Sequence, residues 1–415
     1  MNGAGAVRGL RVLDLSRVLA GPFCAQMLAD HGAEVIKVEA PSGDETRRWG
    51  PPFVDDAETA SAYYQGLNRN KANIVLDLRA EEAREVLHSL IARSDVVVEN
   101  FKAGTMERWG LGYESRLAAE FPRLVYCRIT GYGVDGPLGG LPGYDAALQA
   151  YGGLMSVNGE RDGDPLRVGV PLVDITAAHQ AFAGVLLALL ERGVSGQGQL
   201  VEATLLDAVV SLMHPHSAAY LQSGEVPERT GAAHPTVAPY QVFRTAREGR
   251  LFVAAASDAQ FAALTEVLGR PRLAREPRFR RNRDRIGNLP ALLAELEPAF
   301  LARDADELAG ELVARGVPAS PVNDIAAALS APQVIHRGMV VRDGDYRGIG
   351  VPVKLSRSSS VPPRAPMPLG ADTSRVLAEC GYTPQDLAAL RLSGALGPAE
   401  AEAGSGDVNE PRMSR

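Results

Sequence analysis

The sequence predicts an α/β fold with a Rossmann-like parallel sheet. Two observations carry this prediction: short Val- and Ile-rich runs alternate with helical patterns over the first 130 residues, and most of those runs hold two or three consecutive apolar residues instead of a strict apolar–polar alternation. Strands covered by helices on both faces have this composition, whereas strands of a half-exposed antiparallel sheet alternate apolar and polar residues. We therefore expect a large domain with a doubly wound sheet.

The first elements in chain order form a βαβ unit. Residues 9–15 (GLRVLDL) predict a strand, residues 23–31 a short helix after the turn RVLAGP, and residues 34–39 (EVIKVE) a second strand. The pattern then repeats, with strands at 73–78, 95–100 and 123–130 and an amphipathic helix at 81–94. Alternation of strand and helix indicates parallel pairing.

Helical patterns dominate the middle of the chain. The run 181–190 (AFAGVLLALL) is apolar around most of a helix circumference, which favours a central position in the core. It is also the most membrane-like run, but it has about half of the roughly 20 residues that a bilayer crossing needs. A buried helix of a protein without a membrane partner is the better interpretation.

Composition divides the chain into a discontinuous large domain and an insertion. The N-terminal part of the large domain is placed at 1–224, and Gly and Pro punctuation then begins a smaller α+β domain at 225–328 with a predicted hairpin. Strand patterns return in 329–396, which we expect to rejoin the large domain. Residues 397–415 lack aromatics and predict a disordered tail.

Charge and cysteine usage exclude several classes. Lys and Arg number 43 against 50 Asp and Glu, a formal charge of −7, so a nucleic-acid partner is not expected. The three cysteines are far apart and lack metal-ligand spacing, which argues against disulfides and structural zinc. Charged residues interrupt the N-terminal segment, so no signal-peptide core is present there. A cytoplasmic location fits best.

Common catalytic motifs are missing. The sequence has no GxxxxGK[ST], GxSxG or HExxH pattern. A GxGxxG occurs at 131–136, but the Pro- and Gly-rich residues after it prevent the helix that a dinucleotide site requires. This segment predicts a glycine-rich active-site loop instead. His214 and His216 have a Pro between them and no third ligand nearby, so no metal site is expected.

Asp174 is the most notable candidate for chemistry. It closes the apolar run GVPLV and opens the most hydrophobic helical pattern in the chain. An Asp in this place is commonly an N-cap that accepts backbone N–H bonds. It is also suited to act as a nucleophile, because a carboxylate with a pKa of about 3.9 is ionised at neutral pH and needs no activating base. The two roles are compatible, since helix N–H groups would stabilise the charged form.

Taken together, the motifs resemble the class III CoA-transferase family, which includes formyl-CoA, carnitine-CoA and succinyl-CoA:dicarboxylate transferases and the α-methylacyl-CoA racemases. The resemblance runs from Gly9 to about Leu390. Its segments are LDLSRVLAGP (13–22), GAEVIKVEAPSGDETR (32–47), NRNKANIVLDL (68–78), VENFKAGTMERWGLGYE (98–114), ITGYGVDGP (129–137), PGYDA (142–146), GVPLVDITA (169–177), PYQVF (239–243) and RGVPASPVND (315–324).

The resemblance implies that Asp174 is the nucleophile. In the family, CoA passes through a mixed anhydride and an aspartyl-CoA thioester without ATP or metal. Racemases carry GHD where this chain has Gly143, Tyr144 and Asp145, and a tyrosine is a poor substitute for a histidine that moves protons near neutral pH. A racemase or epimerase is therefore the alternative, and a CoA-binding regulatory protein without turnover is a third hypothesis.

The resemblance also implies roles around the thioester. Tyr144 matches a tyrosine that lines the CoA and acyl site, and Asp145 is either part of the catalytic group or a local structural residue. Positions that match family contacts to CoA are Val18, Ala20, Leu76, Arg79, Asn100, Phe101 and Arg108. We expect the two arginines to pair with phosphates. Ala40 stands where formyl-CoA transferases have an Arg, so the partner of that phosphate is open.

The similarity is greatest to the succinyl-CoA:dicarboxylate branch, through RVLAGPF, DETRRWGPPF and GAAHPTVAPYQVF. Succinyl-CoA is thus the expected donor and a small dicarboxylic acid the expected acceptor. The distal carboxylate needs a cation or hydrogen-bond donors, for which Arg47, Arg69 and His234 are candidates. Family members form interlaced homodimers, and we expect the same here. Which dicarboxylic acid is the acceptor is left open.

Overall fold

The computed structural model describes residues 5–396, and the predicted disordered tail at 397–415 lies outside this range. The described residues form two compact units. The first comprises 5–152, 169–212 and 338–396, and the second comprises 153–168 and 213–337.

The second unit is thus larger than the insertion that composition predicts at 225–328. Residues 153–168 belong to it because the backbone N–H of Gly231 donates to Gly159 O at 3.0 Å, and the Arg229 guanidinium donates to the carbonyls of Glu160 and Gly163. Such non-local bonds leave no signal in local composition.

A six-stranded parallel sheet is the centre of the first unit, which confirms the α/β class. Its strand order is β3-β2-β1-β4-β5-β6, and the order reverses direction where β1 and β4 are neighbours. These strands are β1 Arg11–Asp14, β2 Glu34–Glu39, β3 Lys71–Val75, β4 Val96–Glu99, β5 Val125–Thr130 and β6 Leu200–Thr204. Within the described residues, smaller antiparallel sheets are formed by β7 Tyr240–Arg244, β8 Arg250–Ala254 and β9 Ala319–Pro321, and by β10 Val340–Asp343 and β11 Tyr346–Ile349.

Helices connect these strands and cover the sheet. In chain order they are α1 Ala20–Asp30, α2 Ala62–Gln65, α3 Glu81–Ile91, α4 Thr105–Arg108, α5 Ala118–Glu120, α6 Asp145–Tyr151, α7 Leu154–Val157, α8 Leu172–Ser195, α9 Leu205–Leu212, α10 His216–Ser223, α11 Asp258–Val267, α12 Asn282–Gly287, α13 Leu289–Leu301, α14 Ala305–Ala314, α15 Ile325–Ser330, α16 Pro332–His336, α17 Thr373–Glu379 and α18 Pro384–Leu392.

Two strands depart most from the sequence prediction, and the other strands of the large sheet differ from it at most at their ends. The third strand begins at Lys71 rather than at residue 73, because Lys71 is a buried strand residue whose ammonium is bonded to Asp14 at 2.9 Å. A strand that begins with a buried charged residue is predicted too short when its start is assigned from apolar residues alone. Strand β6 was not predicted at all, since its first three residues are partly or fully exposed and include Glu202.

The C-terminal part returns to the first unit beside β3. The backbone N–H of Asn73 donates to the Asp372 carboxylate at 2.9 Å, and the N–H of Val75 donates to Thr373 Oγ1 at 3.1 Å. These bonds satisfy the outer edge of β3, which would otherwise expose unpaired backbone groups. The chain therefore closes its own sheet edge with a segment nearly 300 residues away.

Helix α8 is the longest helix of the described residues, with 24 residues. It is long and apolar enough to cross a membrane by length and composition, which is weak evidence because core helices of soluble proteins also satisfy that test. Val173, Ala177 and Val185 are buried on one face, whereas Leu187 and Leu190 are exposed on another. The expected central burial is thus found for one face only.

Candidate active site

A cavity of 240 Å³ lies at the carboxyl ends of the neighbouring strands β1 and β4, where the strand order reverses. Open α/β sheets bind ligands at such a point because the loops after the two strands diverge there. The segments that line the cavity include 17–20 after β1, 100–103 after β4, 129–131 at the end of β5, and 140–144 before α6. Asp174 also lines the cavity.

The wall after β5 is made of two glycine segments in close contact. A Cβ atom on Gly131 would lie 2.7 Å from the backbone nitrogen of Gly143, and a Cβ on Gly143 would lie 2.7 Å from the Cα of Gly131. Only glycine allows this approach. The segment that the sequence marks as a glycine-rich active-site loop therefore contributes Gly131 and Gly133 to the cavity wall.

Asp174 is the third residue of α8, so the interpretation of Asp174 as an N-cap is wrong. The N-cap position is Pro171, whose side chain has no oxygen. The carboxylate of Asp145 accepts hydrogen bonds from the first turn of α8 instead. Its Oδ1 accepts from the N–H groups of Val173 at 2.8 Å and Asp174 at 3.3 Å. Asp145 is buried and also bonded to Gln149 at 2.6 Å, which orients it toward α8.

This arrangement changes the expected charge state of Asp174. Burial, together with the negative charge of Asp145, raises the pKa of Asp174 to about 7. The sequence-based expectation was a carboxylate fully ionised at neutral pH and stabilised by helix N–H groups. Those N–H groups are instead bonded to Asp145, and burial beside that carboxylate favours the protonated form of Asp174.

Tyr63 is a neighbour of this carboxylate that the sequence did not single out. Burial and the negative charges of Asp174 and Asp145 raise the pKa of the Tyr63 hydroxyl above its ordinary value. Its ring packs edge-on against Trp49 at 5.3 Å between centroids. Tyr63 lies far from Asp174 in sequence and belongs to no recognised motif of its own, so only the fold brings the two together.

Five of the residues that the resemblance selects line the cavity with Asp174. Tyr144 does so from the N-cap position of α6, with 61% of its surface exposed. The others are Val18, Ala20, Asn100 and Phe101. Asn100 also joins the two loops, because its side chain accepts from Arg17 N at 2.8 Å and donates to Arg17 O at 2.7 Å.

The remaining CoA-contact candidates lie outside this cavity. Leu76 is buried in the apolar core beside β3. Arg79 extends into solvent with 88% of its side chain exposed and pairs with Asp77 at 2.6 Å. Arg108 is the last residue of α4 and donates to Thr105 Oγ1 at 2.8 Å. The two arginines therefore stay candidates for outer phosphates, and a CoA contact of Leu76 also stays a prediction.

The candidates for the distal carboxylate are placed elsewhere. Arg47 is buried and forms a bidentate pair with Glu39, with both distances at 2.8 Å. Arg69 is buried and paired with Asp30 at 2.6 Å. Both guanidinium groups are thus committed to internal carboxylates rather than to the cavity. His234 lies in the second unit, where its Nδ1 accepts from Thr236 N at 3.1 Å.

Cations that the sequence reasoning passed over do line the cavity. Arg17 and Lys102 are both in its wall, and the Arg17 guanidinium lies 5.6 Å from the ring centroid of Phe101. Each is the immediate neighbour of a residue that was selected, Val18 or Phe101. The available signal was therefore their position inside the same two motifs. Among residues 5–396, no group of three or more His, Cys, Asp or Glu side chains is arranged to hold a metal ion.

Comparison with known proteins identifies relatives along nearly the whole chain. The model of CoA-transferase family III matches residues 7–373. The chain is 39% identical over 380 residues to a succinate–glutarate CoA-transferase of Agrobacterium fabrum, which covers 89% of this chain and 94% of that one. It is 40% identical over 391 residues to a succinyl-CoA:mesaconate CoA-transferase of Haloarcula marismortui, covering 91% and 97%.

Solved structures agree with this result. A CaiB/BaiF family protein from Brucella suis superimposes with a TM-score of 0.84 at 39% identity, covering 91% of this chain and 100% of that one. At this identity, the shared fold reflects shared ancestry rather than a recurring architecture alone.

Proposed function

Because the chain belongs to CoA-transferase family III, we propose that it moves CoA from succinyl-CoA to a small dicarboxylic acid, with Asp174 as the nucleophile. The observation that carries the proposal is the position of Asp174 in the wall of a cavity at the strand switch point, together with Asn100 and Phe101. Relatives named for succinyl-CoA and for glutarate or mesaconate support the choice of donor and acceptor class.

The proposed reaction begins with the ionised Asp174. Its carboxylate oxygen attacks the thioester carbonyl of the donor, the C–S bond breaks, and an aspartyl–acyl mixed anhydride and CoA thiolate form. The thiolate then attacks the aspartyl carbonyl, and the donor acid leaves as its carboxylate. An aspartyl-CoA thioester remains on the protein.

The acceptor completes the cycle in the reverse order. Its carboxylate attacks the aspartyl-CoA carbonyl and displaces CoA thiolate, which gives a second mixed anhydride. The thiolate attacks the acceptor's acyl carbon, releases the Asp174 carboxylate and forms the new acyl-CoA. One thioester replaces another, so no ATP is required. Gly131 and Gly143 line the same cavity, which supports their backbone N–H groups as the proposed donors to the oxyanions.

We assign charged parts of the substrates to cations by their location. Arg17 and Lys102 lie in the cavity wall, where a carboxylate or an inner phosphate would enter, while Arg79 and Arg108 are suited to outer phosphates of CoA. Val18, Ala20 and Phe101 offer apolar contacts to the pantetheine arm. The buried pairs of Arg47 and Arg69 disfavour both as ligands for the acceptor.

Incubation with succinyl-CoA and a panel of unlabelled acids tests this function. We expect mass spectrometry to find new CoA thioesters of dicarboxylic acids such as glutarate or mesaconate, and at least about tenfold less of the propionate thioester, because only a dicarboxylate offers a second anion to a site cation. Deuterium incorporation at the α-carbon with an unchanged acyl group would instead assign a racemase. CoA binding without either reaction would assign a regulatory protein.

We also propose a homodimer in the cytoplasm. The exposed face of α8 carries Leu187, Leu190 and Val194, of which Val194 is 91% exposed. Soluble proteins seldom leave a row of large apolar side chains on one helix face uncovered. The interlaced assembly that the family resemblance implies offers a second copy of the chain to cover this face, which makes a membrane partner unnecessary.

Sedimentation of the pure protein tests the assembly. We expect twice the chain mass of 44.0 kDa for the wild type. A Leu187→Glu/Leu190→Glu variant should shift toward one chain mass, because it places two like charges in an apolar contact. Leu392→Glu, at a 90% exposed leucine of α18, is the matched control and should leave the mass unchanged. An unshifted α8 variant contradicts the assignment of this face.

A further inference from the structure

We propose that Asp44, supported by Lys37, is a positioning residue that holds Val18 in a left-handed backbone conformation and thereby fixes the cavity wall beside β1. The inference deepens the proposed CoA-transferase function and rests on it, because the segment it fixes is one of the walls that would receive the thioester. Neither Asp44 nor Lys37 lines the cavity, so both act through Val18.

Val18 has an unfavourable backbone conformation. Its φ angle is +68°, in the left-handed region that β-branched residues rarely occupy. Val18 also lines the cavity together with Arg17 and Ala20. A strained residue at a cavity wall persists only when its surroundings over-determine its conformation.

Asp44 is the group that holds the Val18 backbone. The Val18 N–H points at both carboxylate oxygens of Asp44, at 3.4 and 3.3 Å. The Asp44 side chain is completely buried and also accepts from Thr46 N at 3.0 Å and Thr46 Oγ1 at 2.8 Å. A carboxylate fixed by several donors is a rigid acceptor, which suits it to define the direction of the Val18 N–H.

Lys37 supplies the charge that this carboxylate requires. Its ammonium lies 3.2 Å from Asp44 and donates to the carbonyl of Ser16 at 2.9 Å. Lys37 therefore fixes both Ser16, two positions before Val18, and Asp44, which accepts from the Val18 N–H. A buried ammonium in contact with a buried carboxylate compensates a charge that burial alone would disfavour.

A second buried lysine fixes the other end of the same segment. Lys71, on the strand adjacent to that of Lys37, donates to the carbonyl of Pro22 at 2.7 Å. Gly21 packs so closely on Ser16 that a Cβ at Gly21 would lie 2.2 Å from the Ser16 Cβ. Residues 16–22 are thus pinned at both ends, and the strain is concentrated at Val18.

The same network also stabilises the fold, so the test must separate positioning from stability. Val18→Gly and Val18→Ala both remove the two γ-methyl groups of Val18, but only glycine adopts a positive φ without cost. If Asp44 imposes the left-handed conformation, glycine should compensate for a weakened Asp44 and alanine should not. If Asp44 only stabilises the fold, the two substitutions should behave alike.

The experiment is a double-mutant series with kcat, KM and CoA affinity as readouts. Asp44→Asn keeps the size of the side chain but removes the charge that strengthens its bond to Val18 N–H. We expect it to raise the Kd for CoA and lower kcat/KM by roughly tenfold. In that background, Val18→Gly should recover most of the loss, and Val18→Ala should recover none. Equal behaviour of the two double variants overturns the proposal.

Controls separate this result from a folding defect and from failure of the proposed function. Asp95→Asn breaks the pair with the largely buried Arg192 at the opposite, amino end of the sheet and should leave kcat/KM unchanged. Calorimetric titration with CoA needs no turnover, so it reports on Val18 even if no acyl exchange is found. If Asp44→Asn does not fold, Val18→Gly should still melt at a higher temperature than Val18→Ala, and the reverse order contradicts the proposal.

Discussion

Replacing Asp174 by Ala is expected to lower the rate of CoA exchange by at least about 10⁴-fold, because the proposed mechanism forms both mixed anhydrides and the aspartyl thioester on this carboxylate. CoA affinity should change little, since Asp174 is one of several residues in the cavity wall and Asn100 and Phe101 stay in place. Succinyl-CoA exchange, followed by mass spectrometry, measures the first effect, and calorimetry measures the second.

Two controls make this prediction specific. Asp306→Ala removes an exposed carboxylate from the first turn of α14 and should leave the rate unchanged. Hydroxylamine should convert Asp174 to its hydroxamate only when acyl-CoA is present. If the Asp174→Ala variant retains more than about a tenth of the wild-type rate, the covalent route through Asp174 is excluded.

Loss of activity should not come from loss of folding. Because the folded protein raises the pKa of Asp174 from 3.8 to about 7, it holds this proton more tightly than the unfolded chain does. Linkage then makes Asp174 destabilising as the pH rises from about 4 through 7. The Asp174→Ala variant is therefore expected to melt no lower than the wild type at pH 8.

Replacing Asp145 by Asn is expected to move the pH dependence of CoA exchange to lower pH. In the proposed mechanism the ionised form of Asp174 is the nucleophile, so the wild-type kcat/KM should fall as the pH decreases through about 7. Asn removes the negative charge that helps to raise the Asp174 pKa, and Asp174 should then stay ionised at lower pH. A pH profile with an unmoved acid limb contradicts this role of Asp145.

Asp145→Ala separates the electrostatic role from the structural one. Asn retains an oxygen that can accept from the N–H groups of Val173 and Asp174, whereas Ala leaves these groups at the start of α8 without that acceptor. The Ala variant should lose about 1 kcal/mol of stability and a larger part of kcat than the Asn variant. Equal kcat values for the Asn and Ala variants would contradict a positioning role of Asp145 and leave only its effect on the Asp174 pKa.

Much of the fold follows from local patterns. The strand from Glu34 to Glu39 was predicted with its observed ends, since its residues after the first are buried and mostly apolar. The strand at Lys71 was displaced and β6 was missed, because buried charges and a partly exposed strand break the apolar pattern. Patterns report the average environment of a segment, and these two strands have unusual environments.

The candidate site was predicted less evenly. Motif resemblance selected Asp174, Tyr144 and Phe101, and the fold gathers all three around one cavity. It also selected Arg47, whose guanidinium is bound to Glu39 inside the protein. The sequence does not show whether an arginine is paired with an internal carboxylate or faces a ligand. Only the position of the carboxylate in the folded protein distinguishes these two cases.

By itself, the sequence determined the α/β class and the family and selected Asp174 as the proposed nucleophile, because each depends on the order and type of residues along the chain. Tertiary structure alone decided which carboxylate occupies the start of α8, what raises the pKa of Asp174 and which cations face the cavity. These properties depend on distances between groups from separate elements, such as Asp145 and Asp174, and on the water that folding removes around them.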